Sequence, residues 1–63
     1  MMLEQEKQAR EYKELLDTGF ISQGEYLDLI EDLKREVDMI DDTNLIELKA
    51  ECFKALNMLS KLI

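Results

Sequence analysis

Apolar residues recur along this chain at helical spacing, in three blocks separated by two short polar interruptions. In the first block Met2, Gln5, Ala9, Tyr12 and Leu16 follow a 3-4-3-4 spacing, with Leu15 beside them. In the second, Tyr26, Ile30, Leu33, Val37 and Ile40 follow 4-3-4-3. In the third, Leu45, Leu48, Cys52, Ala55, Leu59 and Leu62 follow 3-4-3-4-3, and a second stripe of Ile46, Phe53, Leu56 and Ile63 runs beside them. Steps of three and four place residues on one face of a helix, because successive side chains are rotated by about 100°. The pattern predicts helices over about 3–17, 23–40 and 45–62 in a single domain, residues 1–63. The predicted fold is all-α: a helical hairpin plus a third helix in a small three-helix bundle, completed by self-association.

The first interruption, Leu16 to Tyr26, specifies a corner. Gly19 suits the left-handed residue that ends a helix, because it has no Cβ to clash in that conformation. Ser22 is placed to cap the next helix, and Glu25 three residues on completes a capping box. Ile21 before the cap and Tyr26 at the fourth helical position are spaced for a hydrophobic staple. Phe20 and Ile21 are expected to plug the open end of the hairpin.

The second interruption, Asp41-Asp42-Thr43-Asn44, lacks Gly and Pro. A break is still predicted, because continuing the second seam from Ile40 lands on the polar Asn44 and Glu47. Asp42, Thr43 and Asn44 are all suited to N-caps, and Asn44 with Glu47 has the spacing of another capping box. In the first helix, Glu6 with Arg10 and Arg10 with Glu14 have ion-pair spacing.

The third helix carries apolar residues over more than half its circumference at about 100° per residue. One neighbour needs a stripe little more than about 100° wide. This helix is therefore expected to touch two helices of its own chain, or one of its own and one of another subunit. Leu48, Cys52, Phe53, Leu56, Leu59 and Ile63 are the expected residues of burial within or between chains, and so the candidate partner interface.

Size sharpens this expectation. A chain of 63 residues buries only about 60% of its unfolded surface and is marginal alone. Cys52 is the one cysteine and there is no histidine, so neither a disulfide nor a Cys/His metal site is available as a staple. The lone cysteine reads as a small buried residue and fits a reducing, cytoplasmic location. The opening Met1-Met2-Leu3-Glu4 reads as a true start. No signal-peptide pattern or bilayer-length apolar run is present.

The net charge is −7, unevenly spread: residues 25–42 hold eight acids against two bases, and residues 43–63 two acids against three bases. Glu25, Asp28, Asp32 and Glu36 form an acidic ridge beside the second seam, a candidate contact face. An acidic chain without a basic patch is not expected to bind nucleic acid or anionic membrane directly, since Lys and Arg supply most of that affinity.

No enzyme constellation emerges. Ser22, Thr18 and Thr43 read as caps, and Ser60 has no base near it in the pattern. Asp38 to Glu51 has the length of a calcium loop, but Thr43 stands where Gly is needed and Ile40 where a ligand oxygen is needed. No cofactor is expected.

Residues Tyr12 to Leu33 resemble the short helical hairpin known as the SHOCT domain. The resemblance rests on Leu15, Leu16, Asp17, Gly19, Phe20, Ile21, Ser22, Glu25 and Tyr26, in that order, and covers about a third of the chain. It implies a contact module that serves oligomerisation or docking. Here the hairpin is followed by a third, very apolar helix, a departure from that pattern. The functional expectation is thus a non-enzymatic protein–protein interaction module that self-associates, most simply as a homodimer. The alternative is an acidic inhibitor or regulator, of the kind a phage accessory factor provides, docking on a nucleic-acid-handling protein through its acidic face.

Overall fold

A computed structural model describes residues 2–61. Three helices follow one another: α1 (Glu4–Asp17), α2 (Gln23–Asp38) and α3 (Ile46–Ser60), with a 3-10 turn at Thr43–Leu45 leading into α3. Each helix packs on both others. The bundle measures 37 × 19 × 16 Å.

The core is built from the predicted seams. Ala9 of α1, Tyr26, Ile30, Leu33 and Val37 of α2, and Cys52 and Leu56 of α3 are all buried. Leu3, Tyr12, Leu16, Ile21, Leu27, Ile40, Phe53 and Leu59 pack around them half-buried. The second seam is the spine of the molecule because four of its five residues lie wholly inside.

The corner forms as its residues dictate. Gly19 has φ +82°. Phe20 N–H donates to the Leu15 carbonyl (2.9 Å) and Gly19 N–H to the Leu16 carbonyl (3.1 Å). That pair of bonds is a Schellman motif, which satisfies carbonyls the helix end leaves free. Thr18 closes the end further, its hydroxyl donating to the Glu14 carbonyl (2.9 Å). On the far side the capping box is complete: Glu25 N–H donates to Ser22 Oγ (3.1 Å) and Ser22 N–H to Glu25 Oε1 (3.4 Å).

Several expectations are corrected. Phe20 does not plug the hairpin: it is 78% exposed, because the Schellman turn carries it outward and leaves Ile21 to pack on the core. The seam residue Met2 is also exposed, as is Ile46 from the second stripe of the third helix. Helix α2 stops at Asp38, two residues before Ile40.

The predicted break between α2 and α3 is present, but Asp42 makes it. Its carboxylate accepts from Asn44 N–H (2.9 Å) and starts the 3-10 turn. Helix α3 begins after Leu45 with no side-chain cap, so the Asn44–Glu47 box does not form. Arg10 pairs with Glu6 at 3.3 Å. The expected Arg10–Glu14 pair is not formed, while Lys13 pairs with Asp17.

Candidate functional site

The expected partner interface on α3 divides in two. Cys52 and Leu56 belong to the protein's own core and have no exposed surface. They are therefore removed from any intermolecular contact face. Leu48, Phe53 and Leu59 are half-buried, and Ile63 lies outside the described residues. The reason is geometric: α3 contacts both α1 and α2, and its broad apolar face is largely used within the chain. Apolar exposure on α3 instead sits at Ile46 (65%) and Met58 (58%).

The acidic ridge is where the spacing placed it. Glu25, Asp28, Asp32 and Glu36 are all exposed on α2. Asp32 pairs with Arg35 at 3.0 Å. The other base of this segment, Lys34, pairs with Glu31 at 3.3 Å. Both bases of residues 25–42 are thus matched to acids of their own helix, and the segment's excess of carboxylates remains on the surface. Glu25 does two things at once, since its carboxylate also takes part in the cap.

At the end of the bundle where α2 passes into α3 lies an open concavity of about 190 Å³, lined by Ile40, Asp41, Asp42, Thr43, Ile46 and Lys49. Met39, next to Ile40, is 80% exposed. Lys49 Nζ donates to the carbonyls of Ile40 (3.0 Å) and Asp38 (3.3 Å). A cation at the C-terminal end of a helix matches the negative end of its dipole. Lys49 therefore ties α3 to the end of α2 across the connection. Sequence spacing did not single it out, because the bond joins residues nine and eleven positions apart across a chain reversal.

Two core groups carry chemistry. Burial pushes the Cys52 thiol up, the Glu6 carboxylate adds to the shift, and the Glu6 main chain opposes it. A raised thiol is a poor nucleophile at neutral pH. Burial also pushes the Tyr26 hydroxyl up, with Asp17 adding to the shift. Glu6, from the polar side of the first pattern, is nearly buried at 9% exposure, and its pairing with Arg10 makes that tolerable.

Among the described residues no group of three or more Cys, Asp and Glu side chains is arranged to hold a metal ion. No helix among them is long and apolar enough to cross a membrane. Ser60 Oγ donates to the Asn57 carbonyl of its own helix (2.8 Å). The arrangement therefore offers an acidic helix face, separately exposed apolar residues at Ile46 and Met58, and an open concavity at one end. No protein family, curated protein or solved structure matches this chain.

Proposed function

We propose that this protein is a non-enzymatic interaction module that docks on a basic surface of another protein through the acidic face of α2. The exposure of Glu25, Asp28, Asp32 and Glu36 on one helix supports this reading most. Proteins that handle nucleic acid present such basic surfaces, so the role that fits is inhibitor or regulator of one of them. A cytoplasmic setting goes with the same reading, since Cys52 is a free thiol. No cofactor and no direct contact with nucleic acid or membrane are part of it.

Charge-steered association weakens as salt rises, because exposed pairs are screened beyond about 8 Å at physiological ionic strength. Affinity capture from a lysate should return basic partners at low salt and lose them at high salt. Partners that persist unchanged at high salt, or no partner at low salt, remove the proposal.

A second reading is self-association as a homodimer or other homo-oligomer. It rests on exposed Ile46 and Met58 and on the resemblance of residues 12–33 to an oligomerising hairpin. Part of its motive is gone, because Cys52 and Leu56 are used inside the chain. Sedimentation equilibrium decides it: a mass near twice 7.4 kDa supports it, and a monomer sinks it.

A further inference from the structure

We infer that the outer groove between α2 and α3 seats a basic amphipathic helix of a partner protein. The inference rests on the acidic-docking reading and specifies the partner's form and seat. A three-helix bundle has an outer groove between each pair of helices, and the α2/α3 groove faces away from α1.

Its two walls differ in chemistry. From the end concavity, Ile46, Ala50, Phe53 and Asn57 run along α3 at 4-3-4 spacing, on one side of that helix. None is charged. Ile46, Ala50 and Asn57 are exposed and Phe53 is half-buried. Lys61 and Lys54 border this row on its outer side, next to Ala50, and Glu47 and Glu51 lie further round the helix.

Glu36 and Asp32 lie four residues apart on α2, with Glu25 further along, and Ile40 follows two residues past the end of that helix. Half-buried Leu29 lies between Glu25 and Asp32 on this flank. Ile40 and Ile46 line one concavity at the end of the bundle, and the inferred seat runs from there between the two rows. One wall is therefore partly apolar with lysines along its outer margin, and the other is acidic.

Charge complementarity selects the occupant. Residues 25–42 carry eight acids against two bases, and both bases are paired within α2. An acidic partner or a second copy of α2 would set carboxylates against carboxylates. A helix with apolar residues at i, i+3, i+4 and i+7 and Lys or Arg along one margin would contact both walls at once. Its apolar stripe would meet Ile46, Ala50 and Phe53, and its cations would meet Asp32 and Glu36.

The test titrates the full chain with three peptides: an amphipathic Leu/Lys helix, a scrambled peptide of the same composition, and a Leu/Glu helix. Fluorescence anisotropy at low and raised salt reads binding. The amphipathic Leu/Lys helix should bind, the scrambled peptide bind at least about tenfold more weakly, and the Leu/Glu helix not bind.

Ala50→Arg places bulk and positive charge in the groove and should weaken binding about tenfold. Glu36→Gln should weaken it a few fold and flatten its salt dependence, while Glu14→Gln on α1, the same change in net charge, should not. Circular dichroism checks that each variant keeps its helices. Equal binding of both Leu/Lys peptides, or equal effects of Glu36→Gln and Glu14→Gln, overturns the groove and leaves acidic docking standing. Failure of both Leu/Lys peptides at low salt overturns both.

Discussion

The Tyr26 hydroxyl donates a 2.9 Å hydrogen bond to the main-chain carbonyl of Leu59, joining the first turn of α2 to the last turn of α3. The ring is wholly buried while its polar tip is satisfied, the arrangement a buried tyrosine needs. Together with the Lys49 bonds at the opposite end, it holds α3 antiparallel to α2 at both ends.

Tyr26→Phe keeps the ring and removes the donor. It should cost about 1 kcal/mol, lowering the thermal midpoint by about 4–8 °C in a domain of this size. A pH dependence follows as well. Burial, then Asp17, raises the hydroxyl above its ordinary 10.0. A raised folded-state value means the native state holds its proton longer than the unfolded chain. The stabilisation is therefore fully present below about pH 10 and is lost as pH rises through the folded value. Urea titrations from neutral pH upward should show this decline, and Tyr26→Phe should lack its uppermost part.

Gly19→Ala meets no crowding, since nothing lies within 4 Å of the added Cβ. Its φ of +82° nevertheless strains any residue with a Cβ, by about 1–2 kcal/mol. Chemical denaturation should show this loss with an unchanged m-value. A neutral result would mean that the turn relaxes away from the left-handed conformation.

Ser22→Ala removes the acceptor of Glu25 N–H and should cost about 1 kcal/mol. Glu25→Gln retains the geometry of the box and should change stability by only a few tenths of that. If docking depends on the acidic face, Glu25→Gln should weaken partner capture while melting close to the wild type. Equal melting losses in the two variants would show that the carboxylate charge itself carries the cap.

Lys49→Met keeps the aliphatic stem and removes the ammonium that bridges to Ile40 and Asp38. A loss of about 1 kcal/mol is expected, with faster amide hydrogen exchange in the last turn of α2. Unchanged exchange there would show that the bridge does not hold the helix end.

The buried Cys52 thiol should react with a thiol reagent such as DTNB only slowly in the native protein and fully in urea. Its value is raised by burial, then by the Glu6 carboxylate, so alkalinisation to about pH 8.5 should release little thiolate from the folded state. Fast native labelling would mean that α3 opens readily from the core.

Much of this was legible in the residue pattern. Gly19, Ser22 and Glu25 act locally, through bonds spanning a few positions, so their roles follow from spacing alone. The seam from Tyr26 to Val37 is likewise a periodic signal that burial obeys. The acidic ridge was readable for the same reason, since its carboxylates recur at helical spacing beside the core seam.

What spacing left open was settled by long-range geometry. The sequence by itself determined three helices, the corner between the first two and the excess of acid on the second. Only the tertiary structure decided that Cys52 and Leu56 face their own bundle, that Phe20 points to solvent, and that Lys49 and Tyr26 tie the two ends of α3 to α2. Periodicity tells which side of a helix is apolar. Which neighbour covers that side depends on how three helices share a limited core, and that depends on contacts between residues far apart along the chain.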